Sequence, residues 1–141
     1  LAPRDKRWYM WLPAIAGFIS LPFTMAVYLT SSQYTALVLA FIPGLLFNVY
    51  LGTTIATSHA LVGQRMRATA SAILFLILNI IGLGLGPWSV GMLSDYLLPT
   101  LGNESLRYAM VALIPTVLFW SSCHFYLASR NLRADLAAAP D

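Results

Sequence analysis

Charge is what this sequence has least of. Only 9% of its 141 residues are Asp, Glu, Lys or Arg, against 59% hydrophobic, and the mean hydropathy is +0.74. A soluble domain carries about 25% charged residues, so this composition cannot cover a water-facing surface but can cover a lipid-facing one. Cysteine is almost absent as well: Cys123 stands alone, which excludes an internal disulfide. The chain opens at Leu1 without an initiator methionine and without a basic stretch, short apolar run and small-residue cleavage site, so no signal peptide is read and the chain is expected to be a fragment of a longer protein.

The charges that do occur are confined to a few places. They are Arg4, Asp5, Lys6, Arg7, Arg65, Arg67, Asp95, Glu104, Arg107, Arg130, Arg133, Asp135 and Asp141. Between them lie uncharged stretches at 8–64 (with a polar break at Thr30-Ser31-Ser32-Gln33), 68–94 and 108–129. An ionised group in hydrocarbon costs several kcal/mol, so stretches this clean are what a bilayer requires. A crossing helix needs about 20 apolar residues at ~1.5 Å each. The pattern therefore predicts an all-α polytopic bundle with spans at about 8–29, 34–61, 68–94 and 108–127, and a cytoplasmic tail over 128–141. None of the runs alternates with period two, as a membrane barrel strand would.

Four spans place the two ends of the chain and the Gln64–Arg67 loop on one side. Arg4, Lys6, Arg7, Arg65, Arg67, Arg130 and Arg133 fall there, and only Arg107 falls opposite. Basic residues accumulate on the cytoplasmic side, so both ends are expected in the cytoplasm, with Trp8, Tyr9 and Trp11 at the inner interface of a plasma or bacterial inner membrane. On the outer side, Asn103-Glu104-Ser105 matches a glycosylation sequon, though a chance occurrence in a polar turn explains it as well.

Nothing catalytic is assembled. No carboxylate lies inside a span, and Ser58 and His59, being adjacent on a helix, point about 100° apart and form no nucleophile–base pair. His59 and His124 have no acidic or thiolate companion, so neither a metal site nor a cofactor is expected, and an enzyme is not.

What the spans do contain concerns packing and polarity. Pro13, Pro22, Pro43, Pro87 and Pro115 lie inside them; kinked helices suit transporters and channels without proving either. In the third span Ser71, Asn79, Gly82, Gly86 and Ser89 share a face, and Gly82 and Gly86 form a Gly-x-x-x-Gly pair that lets a neighbouring helix approach closely. The second span holds most of the polar groups: Tyr50, Thr53, Thr54, Thr57 and Ser58 on one side, Asn48, Gly52 and His59 nearly opposite. Hydroxyls can bond the carbonyl four residues back on their own helix. Asn48 and His59 imply inter-helix hydrogen bonds or a wet cavity. A role for His59 as a proton or hydrogen-bond relay is conceivable, as is a neutral ring tethered to a neighbouring helix. Asn48, Tyr50 and Thr54 are the candidates for contacts in a cavity, although they occupy two faces.

The order of features resembles a known family. Arg65-Met66-Arg67-Ala68-Thr69-Ala70-Ser71-Ala72, running into Asn79-Ile80-Ile81-Gly82-Leu83-Gly84-Leu85-Gly86-Pro87 and closing with Val90-Gly91-Met92-Leu93-Ser94-Asp95, resembles helix eleven and its preceding loop in a major facilitator superfamily transporter. More narrowly, these residues, the opening Leu1-Ala2-Pro3-Arg4-Asp5-Lys6-Arg7-Trp8-Tyr9 and the Asn103–Tyr108 entry to the last span resemble the Spinster-like branch, which is associated with lipid-like cargo. The resemblance implies that the four spans are helices nine to twelve of a twelve-helix protein, whose helices one to eight are missing here and would be its packing partners. It also implies a secondary transporter of a small organic or lipid-like solute working by alternating access, with helix ten lining the cavity and Gly82, Gly86, Pro87 and Gly91 in packing and gating. A self-contained four-helix scaffold or small channel acting as an oligomer is the alternative. The expected surroundings are the lipid bilayer and the solute; nucleic acid is not.

Overall fold

The computed structural model describes residues 5–140; Leu1-Ala2-Pro3-Arg4 and Asp141, and with them two of the charges used above, lie outside the described residues. The described chain is all-α, as its composition requires, and among the described residues there is no strand. Helix α1 spans Trp8–Leu29 and α2 spans Gln33–Leu61. A third rod is built of α3 (Arg67–Ile77), a π-helical segment (Leu78–Leu85) and α4 (Gly86–Leu101), and α5 spans Ser105–Ala137. Among the described residues, three helical runs are long and apolar enough to cross a membrane: α1, α2 and the 74 residues Gln64–Ala137. The last run is folded back on itself, because α4 packs against α5 and Gly102 between them takes φ +54. That backbone conformation disfavours any residue with a Cβ, so the glycine is what permits the reversal.

Local chemistry sets the other boundaries. The Ser32 hydroxyl accepts the Thr35 N–H at 3.4 Å and caps α2. Ser105 of the sequon-like tripeptide is buried in the first turn of α5, with its hydroxyl 3.2 Å from that of Ser94. Two features were not read from the sequence. The third span is not a plain α-helix over 68–94 but a rod interrupted by the π segment. The expected tail, 128–141, is helical as far as Ala137, since Ser129 and Leu132 are buried and hold that stretch in place.

Large apolar side chains face outward all along the bundle; Leu37, Val38 and Leu83 are each more than 70% exposed. The interior is instead made of small residues. Buried positions on α1 are Met10, Pro13, Ala14, Ala16, Ser20 and Thr24, and on α5 they include Ala109, Pro115, Ser122 and Ser129. Among lipids, hydrophobicity cannot select which face turns inward, because acyl chains are as apolar as leucine; close backbone approach through small residues does.

That approach is tightest where α1 meets α5. A Cβ added at Gly17 would overlap the Ser122 hydroxyl oxygen and lie 3.3 Å from Ser122 Cβ. Beside this contact Phe18 and Phe119 meet edge to face, ring centres 5.9 Å apart. The pair is also clasped at both ends. At one, Arg107 of α5 donates to the final carbonyls of α1: from Nε to Tyr28, and from Nη2 to Leu29 at 2.6 Å and Thr30 at 3.0 Å. At the other, Arg133 grips Asp5 with Nη2–Oδ2 at 2.7 Å and Nε–Oδ1 at 3.2 Å, and the Trp11 indole donates to Ser129 Oγ at 2.9 Å.

The Arg7 backbone N–H holds the Asp5 carboxyl below its usual range against the opposing effect of desolvation, and Arg133 adds smaller lowering contributions. A depressed carboxyl stabilises the folded state above the usual carboxylate range and loses that contribution as pH falls through its lowered value. Asp5→Asn is therefore expected to speed backbone hydrogen exchange over the first turns of α1 at neutral pH. The difference from the parent should vanish once the solution is acidic enough to protonate Asp5, which exchange measured across a pH series would show. The pair is solvent-exposed, so its effect on global stability is small.

Candidate functional site

α1 packs on both α2 and α5, while the third rod meets α2 chiefly through α3 and α5 through α4. The four helices thereby surround a cleft of about 1110 Å³. Its walls come from α1 (Gly17, Ser20, Thr24, Tyr28), α2 (Pro43, Phe47, Tyr50, Thr54), the rod (Gly86, Pro87, Ser89, Gly91) and α5, and among the described residues they include no Asp, Glu, Lys, Arg or His. Toward the end that carries Lys6, Arg7, Arg65, Arg67, Arg130 and Arg133, a smaller cavity of about 300 Å³ adjoins it, bordered by Ser58, Ser121 and His124. Thr54, Ser121 and Phe125 border both.

Most hydroxyls in the cleft are already occupied by their own helices. Ser20 donates to the Ala16 carbonyl at 2.7 Å, Thr24 to Ser20 at 2.8 Å, Ser89 to Gly86 at 2.8 Å and Ser121 to Leu118 at 3.2 Å. Thr54 is different: its Oγ1 is buried and has no hydrogen-bond partner among the described residues. Its neighbours on α2 do not share this state, since Thr53 donates to Val49 and Tyr50 carbonyls, and Thr57 and Ser58 to those of Thr53 and Thr54. A solute entering the cleft thus meets apolar walls, the Phe47–Tyr50 edge-to-face pair with ring centres 5.0 Å apart, and a few hydrogen-bonding groups.

The sequence-derived candidates separate in space. Tyr50, Thr54, Gly86, Pro87 and Gly91 line the cleft. Asn48 does not; it is exposed on the outer face of α2, where its amide donates to the Gly44 carbonyl at 3.1 Å. His59 stands near the end of α2, its Nε2 2.6 Å from the Ser71 hydroxyl on α3, so it joins two helices. Gly82 lies in the π segment, and a Cβ added at Gly82, Gly86 or Gly91 meets nothing within 4 Å. Among the described residues, the tightest helix contact is at Gly17 and Ser122. Gly17 and Arg107 were not singled out for these roles. The available signals were small residues four apart on α1 (Ala16, Ser20, Thr24) and seven apart on α5 (Pro115, Ser122, Ser129), and a lone arginine beside the end of a helix.

No family model matches the chain. It is 32% identical over 136 residues to an MFS-type efflux pump of Mycolicibacterium smegmatis, an alignment that takes in 96% of this chain and 32% of that protein. The chain therefore spans about a third of the length of the curated relative it matches. The likeness is to a membrane transporter of the major facilitator type, and the all-α, lipid-facing fold of this chain agrees with that likeness.

Proposed function

We propose that this chain supplies four crossing helices of a secondary transporter that moves a small, mainly apolar or lipid-like solute by alternating access. The observation that carries the reading is the charge-free cleft among all four helices. An ion desolvated there would find no counter-charge, at a cost of several kcal/mol, whereas an uncharged amphiphile would lose little and could bond to Tyr50 or Thr54. The likeness to an efflux pump supports transport, and the third rod's resemblance to helix eleven supports a Spinster-like relative in which eight further helices complete the protein. The charge asymmetry supports cytoplasmic ends in a plasma or bacterial inner membrane. In this reading Gly86, Pro87 and Gly91 form the wall that the rod presents to the solute, Gly82 lies on the packing face of the same rod, and His59 is a hydrogen-bonded tether between α2 and α3. The chain is not read as an enzyme.

Two measurements test this. Vesicles containing the full-length protein should move a neutral apolar fluorescent dye when an ion gradient is imposed; passive leakage of small ions without dye movement would favour a channel. In a Cys123→Ser background, Tyr50→Cys and Thr54→Cys should react with a membrane-impermeant maleimide and be protected by the transported dye. Asn48→Cys, on the lipid side, should stay unreactive. Labelling of Asn48→Cys alone would overturn the placement of the cavity.

A further inference from the structure

Among the described residues, no nitrogen-bearing side chain lines the cleft, and the polar side chains on its walls are all hydroxyls. Their hydrogens are largely committed. Ser20, Thr24, Ser89 and Ser121 each give theirs to a carbonyl of their own helix, at 2.7 to 3.2 Å. A hydroxyl carries one hydrogen and two acceptor lone pairs, so what these side chains can still offer a solute is an acceptor. Two prolines add to the excess. Pro13 and Pro43 line the cleft inside α1 and α2. Having no N–H, they leave the carbonyls four residues earlier, at Tyr9 and Leu39, without the donor that an α-helix normally supplies. Only the hydroxyls of Tyr28, Tyr50 and Thr54 have no such commitment among the described residues that line the cleft.

The adjoining smaller cavity repeats the pattern. Thr57 and Ser58 on its wall donate to the carbonyls of Thr53 and Thr54, both at 2.8 Å. His124 Nδ1 lies 2.9 Å from the Trp120 carbonyl. A carbonyl oxygen only accepts, so Nδ1 carries the hydrogen and the neutral ring keeps Nε2 as an acceptor. Resting on the transporter reading above, we propose that the cleft selects uncharged solutes whose polar atoms are hydrogen-bond donors: alcohols, phenols and neutral primary amines rather than ethers, esters and ketones. A donor on the solute finds an acceptor at each polar position of the wall. A solute carbonyl can be paired only by Tyr28, Tyr50 or Thr54; elsewhere it loses its water without meeting a donor. Leaving a desolvated group unpaired costs more than a made bond returns, so a site that hydrogen-bonds a hydroxyl discriminates strongly against the analogue that lacks it. The acceptors are all neutral, and they leave the charge of an ammonium ion uncompensated.

Three neutral naphthalenes of similar size test this: 1-naphthol, which donates and accepts, and 1-methoxynaphthalene and 1-acetylnaphthalene, which only accept. Their binding to the full-length protein in lipid nanodiscs can be measured by equilibrium dialysis and corrected for uptake by protein-free nanodiscs. Naphthol should bind about tenfold more tightly than either of the others, the scale of one hydrogen bond. The double variant Ser20→Ala, Thr24→Val removes two acceptor oxygens. It should weaken naphthol binding by about threefold or more and leave methoxynaphthalene binding unchanged. Ser89→Ala with Ser121→Ala should do the same from the opposite walls, and replaces the first variant if that one does not reach the membrane. Equal binding of the three probes, no binding of any of them, or tightest binding of acetylnaphthalene would overturn the proposal. So would a preference for naphthol that survives both double variants. If an imposed gradient moves no dye, the transport reading fails, while the binding order of the naphthalenes still decides the selection.

Discussion

Gly17→Leu is expected to force α1 and α5 apart and to lower the unfolding temperature steeply. The Cβ alone would overlap the Ser122 hydroxyl, which donates to the Leu118 carbonyl at 2.8 Å, and would sit 3.3 Å from Ser122 Cβ. A branched side chain has no room, so α1 and α5 must separate. Over-packing of this kind costs about 1–3 kcal/mol and sometimes more, and separation would also strain the contacts at either end of the pair. Gly17→Ala should lower the unfolding temperature measurably but much less, because alanine regains about 1 kcal/mol of helix propensity. Combining Gly17→Ala with Ser122→Ala should restore most of that loss by removing the overlapping oxygen. The two positions touch, so a double-mutant cycle on unfolding temperature should show strong coupling. Additive effects would mean that the helices do not meet there.

The second large effect is expected at Arg107. Its guanidinium donates to three carbonyls at the end of α1 and to Glu104 Oε2 at 3.0 Å, with the side chain one-third exposed. The last carbonyls of a helix have no intrahelical donors, and a cation there also answers the negative end of the helix dipole. Arg107→Ala should cost about 2–3 kcal/mol, the scale of one well-placed charged hydrogen bond, since partial exposure reduces the sum. Arg107→Lys should recover less than half, because a single ammonium cannot span several carbonyls as a planar fork does. The readouts are unfolding temperature and protease cleavage in the connection between Leu29 and Gln33. Unchanged cleavage in the alanine variant would show that the connection is held by other means. Glu104→Gln should matter far less, since that ion pair is an exposed i,i+3 contact.

Arg107 also shows how one residue can carry two messages. In the sequence it is the exception to a charge asymmetry, and its value lies in being alone. In the fold it is a clamp. Nothing in its neighbours announces this, because its acceptors are backbone carbonyls nearly eighty positions away. Gly17 was similarly silent beside Gly82 and Gly86, whose spacing is the familiar signal for close helix contact. Spacing marks a helix as able to pack closely, but not which neighbour arrives. The second span was more legible. Hydroxyls on α2 were expected to bond their own helix and most do, leaving Thr54 conspicuous, while His59 does reach the next helix. Tyr50 and Thr54 sit together in the cleft, but Asn48 faces away, for the reason already visible on the helical wheel.

By itself, the sequence determined that the chain is helical and belongs in lipid, and where its hydrophobic runs start and stop. Those properties follow from charge and hydropathy, which act residue by residue. Only the tertiary structure decided that α1 pairs with α5, that the third rod carries a π segment, and that a charge-free cleft lies among the four helices. In a bilayer the lipid and the protein interior are equally apolar, so no hydrophobic stripe marks the inward face. The choice falls to small residues, carbonyl ends and side-chain hydrogen bonds, whose partners exist only once the helices have met.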